Sequence, residues 1–196
     1  MSAPAGTSFP GFLPPGSERE TFAAVGDSIT AGSVPLDGPT AGVGTWVTAT
    51  ATDPLRLADG WAVPGATTAD MLAAVDPMQA DHLVLMGGTN DVIRGLDPDQ
   101  AMANLVAVAT EAGIPEVLLA AIPPLDRAPE AALDFNRRLA ELAQQQGWQF
   151  VDPWEGVGDG GAYVPGTSAD GIHPSAEAVD LVGARIRTAL LYGGDR

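Results

Sequence analysis

Phe22-Ala23-Ala24-Val25-Gly26-Asp27-Ser28-Ile29-Thr30 joins two kinds of chain. Four consecutive apolar residues make a run short enough for a strand buried on both faces, and a Gly-Asp-Ser turn then opens a helical pattern. The same succession recurs to the end of the sequence. Leu55–Val63, Leu83–Met86, Glu116–Ile122 and Gln149–Val151 read as further buried strands, and Thr68–Val75, Pro98–Ala112, Pro129–Gln146 and Pro174–Leu191 read as helices. Pro98 and Pro129 suit first-turn positions, and Asp97 suits a cap. Leu133, Leu139, Leu142 and Ala143 form one apolar stripe; Val179, Leu181, Val182, Ile186 and Leu190 form a broader one. Such alternation predicts an α/β fold: an open, mostly parallel sheet of about five strands with helices on both faces.

With 196 residues, 45% of them hydrophobic and 17% charged, and a mean hydropathy of +0.11, the chain suits one globular domain with a sizeable core. Residues 1–20 read as an extended arm rich in Pro, Gly and small residues, and residues 21–196 as the domain. Nine basic residues, all Arg, stand against 25 acidic ones, for a formal net charge of −16. That balance excludes nucleic acid as a partner and repels anionic membrane surfaces. No run approaches the ~20 apolar residues needed to span a bilayer, so no membrane insertion is expected. Cysteine is absent, which excludes disulfides, thiolate metal sites and a cysteine nucleophile. Residues 1–21 show neither a basic n-region nor an apolar h-region, and a cytoplasmic location is expected.

In an open α/β sheet, ligands bind beyond the carboxyl ends of the strands. Three strand exits are rich in Gly and small polar residues: Gly26-Asp27-Ser28-Ile29-Thr30, Pro64-Gly65-Ala66-Thr67-Thr68 and Gly87-Gly88-Thr89-Asn90-Asp91. Asp170-Gly171-Ile172-His173-Pro174 precedes the last helix. Only two histidines exist. His82 opens a strand and belongs at the opposite end of the sheet, whereas His173 follows Asp170 by three residues, a spacing that lets the carboxylate hold one ring nitrogen and leave the other free. Ser28 is the best-placed nucleophile for such a base, although taken alone it reads more readily as a helix cap. The backbone amides of Ser28 and Gly65 and the side chain of Asn90 are candidate donors to an oxyanion, each with an ordinary turn or capping role as its alternative. A metal site fails on counting, since Asp170 and His173 have only His82 as a further imidazole. Gly87-Gly88 matches neither a dinucleotide fingerprint nor a P-loop.

Taken together and in order, Gly26-Asp27-Ser28-Ile29-Thr30, Gly65 in Val63-Pro64-Gly65-Ala66, Gly87-Gly88-Thr89-Asn90-Asp91 and Asp170-Gly171-Ile172-His173-Pro174 resemble the four blocks of the SGNH hydrolases, the GDSL lipase/esterase family. The resemblance runs from Phe22 to Leu191. It implies a flavodoxin-like three-layer α/β/α sandwich and a serine esterase. It implies Ser28 as nucleophile, His173 as base, Asp170 as its orienter, and Ser28, Gly65 and Asn90 as the oxyanion hole. No metal or organic cofactor is implied. Two departures stand out: Ile29 replaces the leucine of the named motif, and Gly60 and Trp61 occupy the neighbourhood where many members carry Asn.

The substrate expected is a small-molecule carboxylic ester with a short acyl group, such as an acetyl ester of a small alcohol or carbohydrate. Other readings are an acyltransferase using the same residues, a lysophospholipase or thioesterase for longer chains, and a non-catalytic binding module. Ser33–Trp46 and Glu155–Ala169 are expected to line the pocket, with Trp46, Trp154 and Tyr163 read equally as its walls or as packing for the loops, and Asp27 and Ile172 as further substrate contacts.

Overall fold

A computed structural model describes residues 19–193; the arm expected at residues 1–20 therefore lies, but for its last two residues, outside the described residues. In chain order the elements are β1 (Thr21–Gly26), α1 (Ser28–Ala31), β2 (Leu36–Asp37), α2 (Trp46–Thr50), β3 (Arg56–Ala62), α3 (Thr68–Ala74), β4 (His82–Met86), α4 (Thr89–Ile93), α5 (Pro98–Ala112), β5 (Glu116–Ala120), α6 (Pro129–Gln146), β6 (Gln149–Val151), β7 (Gly158–Asp159), β8 (Ala162–Tyr163) and α7 (Ala176–Tyr192).

The main sheet has the order β2-β3-β1-β4-β5-β6. Its five long-pattern strands run parallel, and β2 adds a sixth, antiparallel to β3 at the edge. This extends the expected five strands by one. Two residues between Pro35 and Gly38 carry no periodicity from which a strand can be read.

Alternate side chains of each central strand serve opposite cores, as the pleat requires. Ala23, Val25, Leu83 and Leu85 pack with Met71 of α3, Leu105 of α5 and Leu139 of α6. Phe22, Ala24, Val84 and Met86 pack with Trp46 and Val47 of α2 and with Val182 and Ile186 of α7. The result is a three-layer α/β/α sandwich. Asp97 caps α5 through the Asp99 amide at 3.0 Å, with Pro98 in the first turn.

Register aligns the strand exits. Gly26 pairs with Ala62 on one side and Met86 on the other, so the segments after β1, β3 and β4 emerge side by side. A Cβ on Gly26 would lie 2.2 Å from Thr30 Oγ1 and 2.7 Å from the Met86 carbonyl oxygen, so only glycine lets α1 fold back against the strand ends. His82 sits at the opposite end of the sheet, 3.4 Å from Glu20. Among the described residues, no helix is long and apolar enough to cross a membrane.

Candidate active site

Ser28 is the first residue of α1, and Asp27 caps that helix by accepting the Ile29 amide at 2.9 Å. The cap turns the Ser28 side chain to the carboxyl edge of the sheet. There its Oγ lies 3.0 Å from Nε2 of His173. His173 Nδ1 lies 2.7 Å from Asp170 Oδ2, while Asp170 Oδ1 accepts the backbone amides of Ile172 (2.9 Å) and His173 (2.8 Å). Three residues thus form one series of hydrogen bonds.

Partial burial pushes the Asp170 carboxyl up, but hydrogen bonds from the His173 ring and from the His173 and Ile172 amides, with the charge on His173, hold it well below the usual carboxylate range. An ionised carboxylate only accepts, so Nδ1 carries the ring proton and Nε2 presents its lone pair to the Ser28 hydroxyl.

The loop around Asp170 is pinned from several sides. Gly171 donates its amide to Ser168 Oγ at 2.9 Å, and the Gly171 carbonyl accepts the Asp126 amide at 3.1 Å. Tyr163 donates its hydroxyl to the Ile172 carbonyl at 2.8 Å. Burial, together with the charges of Asp170, Asp126 and Asp27, pushes the Tyr163 phenol up, so it stays a donor.

Beside Ser28, the turn after β3 and the helix after β4 bring further donors together. Ala66 donates its amide to the Val63 carbonyl at 3.0 Å, with Pro64 and Gly65 between them and Gly65 at φ +83°; this is a type II turn, whose third position favours glycine. Asn90 in α4 donates one Nδ2 proton to the Ala66 carbonyl at 2.9 Å and keeps the other. The position of α4 is fixed by buried Asp91, whose two carboxylate oxygens accept the Thr68 amide at 3.0 Å and the Thr68 hydroxyl at 2.7 Å. Asp91 and Thr68 were quoted in the sequence blocks without a role.

A cavity of about 410 Å3 opens at Ser28 and His173, walled by Ile29, Gly32, Ser33, Thr45, Pro64 and Val179. Several pocket expectations need correction. Trp46 is buried in the core at 1% exposure, with its indole N–H on Thr30 Oγ1 at 3.2 Å, so it backs α1 rather than walling the cavity. Asp27 is sealed beneath α1 and offers substrate no surface. Trp154 is buried, donates its indole N–H to the Ala121 carbonyl at 2.9 Å, and borders a separate cavity between α6 and the β7–β8 hairpin. Glu155, Gly158 and Gly161 border that second cavity as well. Tyr163 packs edge-on against Trp154 and is spent on the Ile172 carbonyl, and Ile172 is half-buried against the core. The aromatic groups near the site support its loops.

Asp27 is also the site's buried charge. Burial pushes its carboxyl up to about 6, Asp91 adds to this, and the Ile29 amide, the neighbouring Thr89 hydroxyl and the charge on His173 oppose it. Its Oδ2 and the Thr89 hydroxyl are buried with no hydrogen-bond partner among the described residues. Among the same residues, no group of three or more His, Asp or Glu is placed to hold a metal ion.

A strand-exit serine linked through histidine to aspartate on a three-layer α/β/α sheet is the arrangement of a serine ester hydrolase. The profile of the GDSL-like lipase/acylhydrolase family matches residues 24–181, and the chain belongs to that family. Its fold is similar to the crystal structure of a GDSL-like lipase from Bacteroides thetaiotaomicron VPI-5482, with a TM-score of 0.69, 21% identity and 93% of each chain covered. It is also similar to the lipase/acylhydrolase from Enterococcus faecalis, with a TM-score of 0.69 and 24% identity over 87% of this chain and 95% of that one. A third similar structure is TesA, with a TM-score of 0.66 and 29% identity over 87% of this chain and 98% of the other. No protein in the curated set matches the chain.

Proposed function

We propose that this ester hydrolase cleaves small-molecule carboxylic esters with short acyl groups, acetyl esters of small alcohols or carbohydrates among them, through an acyl-enzyme on Ser28. The observation that carries this reading is the unbroken series Ser28 Oγ, His173 Nε2, His173 Nδ1, Asp170 Oδ2, at 3.0 and 2.7 Å.

Ser28 Oγ attacks the ester carbonyl carbon as its proton passes to His173 Nε2. The resulting imidazolium is stabilised by the Asp170 carboxylate. Negative charge on the former carbonyl oxygen is met by the amides of Ser28 and Gly65 and by the free Nδ2 proton of Asn90. The tetrahedral intermediate collapses, the C–O bond to the alcohol breaks, and His173 returns its proton to the leaving oxygen. Water then adds to the acyl-enzyme by the same sequence, giving the carboxylic acid and free Ser28.

The preference for short acyl groups rests on the cavity wall. Ile29, Pro64, Pro174 and Val179 alternate there with Gly32, Ser33, Gly44 and Thr45, and the chain carries no long apolar insertion to extend the lining, whereas a long alkyl chain needs a continuous apolar surface. Hydrolysis of p-nitrophenyl esters from C2 to C12 by the wild type and Ser28→Ala tests the proposal. It expects an optimum at C2–C4 in the wild type and loss of activity in the variant; an optimum at C12 contradicts the substrate class.

A further inference from the structure

Two residues one helical turn apart grip consecutive carbonyls of the Gly65 turn. Asn90 Nδ2 donates to the Ala66 carbonyl at 2.9 Å, and Arg94, at the C-terminal cap of α4, donates from Nη2 to the Gly65 carbonyl at 2.7 Å. Positions i and i+4 share a helix face, so the two grips come from one side of one short element. That element is itself tied down through Asp91 to Thr68.

A Pro-Gly turn needs such restraint. The direction of the Gly65 N–H depends on the peptide between Pro64 and Gly65, and glycine adopts either sign of φ with little preference. Packing supplies no substitute at the glycine itself, because a Cβ there would meet only Arg94 Nη2, at 3.8 Å. Arg94 makes no ion pair among the described residues, and the hydrogen bond its guanidinium makes there is the one to Gly65.

We propose that Arg94 is a positioning residue of the oxyanion hole: by holding the Gly65 carbonyl while Asn90 holds the next one, it fixes the turn so that the Gly65 N–H and the free Asn90 N–H converge on one point. This rests on the assignment of Gly65 and Asn90 as oxyanion donors. Its consequence is that a residue outside the substrate contacts controls kcat. Displacements near 1 Å at a reacting centre cost up to about a hundredfold in rate, and a charged donor on a carbonyl is stronger than a neutral one.

The test measures kcat and KM for p-nitrophenyl acetate, an uncharged ester, with Arg94→Met, Arg94→Lys and Asn90→Ala, alongside urea unfolding midpoints. Arg94→Met is expected to lower kcat about tenfold, with KM within about twofold of wild type and the midpoint unchanged. Arg94→Lys, which keeps a charged donor, restores most of the loss. Asn90→Ala loses at least about a hundredfold. If Asn90→Ala is impaired while Arg94→Met keeps wild-type kcat, the inference about Arg94 is overturned and the oxyanion assignment stands. If Asn90→Ala keeps wild-type kcat, the oxyanion assignment itself falls. A loss in Arg94→Met confined to KM, or seen only with an anionic hemisuccinate ester, makes Arg94 a ligand contact and overturns the positioning role.

Discussion

Nε2 of His173 lies 3.0 Å from Oγ of Ser28, although 145 positions separate the two in the chain. Nothing local makes that contact. It follows from β1 ending in the middle of the parallel sheet and from a loop before α7 that is anchored through Asp126, Tyr163 and Ser168. The proposed mechanism makes His173 the base, which must be neutral to accept the serine proton, so kcat/KM is expected to fall toward acid. A flat profile between pH 5 and 9 contradicts the role of His173 as base.

Asp170→Asn tests the orienter. The amide keeps the size of the carboxylate but no longer enforces the Nδ1–H tautomer, and kcat is expected to fall about 10³–10⁴-fold with little change in KM. Linkage sharpens the test. The folded Asp170 carboxyl is held below its unfolded value, so its contribution to stability is present above the ordinary carboxylate range and is lost as pH falls through the folded value. In urea unfolding, the stability of the wild type relative to Asp170→Asn is therefore expected to be greater at pH 7 than at pH 3.

Asp27 has the opposite sign. Its folded carboxyl titrates at about 6 against an ordinary 3.8, so the fold disfavours the ionised form. The penalty is absent below pH 3.8, grows between 3.8 and 6, and reaches about 3 kcal/mol above that. Asp27→Asn keeps an oxygen for the Ile29 amide and removes the buried charge. We expect it to raise stability by about 1–3 kcal/mol at pH 8 and by much less at pH 4, read from urea unfolding. Equal effects at both pH values contradict the assignment.

Gly65→Ala separates conformation from crowding. An added Cβ meets Arg94 Nη2 at an ordinary 3.8 Å, but φ +83° costs a β-carbon residue about 1–2 kcal/mol. The turn is expected to reverse its central peptide, withdrawing the Gly65 N–H and lowering kcat about a hundredfold while stability changes little. A wild-type kcat in this variant removes Gly65 from the oxyanion hole.

How much of this was legible in the sequence depends on element length. Phe22–Val25, Leu83–Met86 and the stripe of the Pro129 helix carry enough consecutive signal to place β1, β4 and α6 within a residue or two. The two-residue strands β2, β7 and β8 and the short helices α2 and α4 carry none, because elements this short show no periodicity, and α1 was legible only from the Gly-Asp-Ser turn that opens it. Ser28, Gly65 and Asn90 could be singled out because their chemistry and their strand-exit positions coincide, and Asp170 and His173 because a carboxylate stands three residues before one of only two histidines. Trp46 and Trp154 stayed undecided between wall and loop packing for a physical reason: a large aromatic in a loop can face solvent or core, and only tertiary packing decides. Arg94 was invisible because its partner is a backbone carbonyl 29 positions away.

The central claim is that Ser28 is a nucleophile activated by His173. Intact-mass measurement of fluorophosphonate labelling in the wild type, Ser28→Ala and His173→Ala tests it most directly. The account predicts one adduct per wild-type chain, mapped to the peptide containing Ser28, no adduct in Ser28→Ala, and labelling slowed by orders of magnitude in His173→Ala. An adduct in Ser28→Ala, or wild-type labelling rates in His173→Ala, would contradict it.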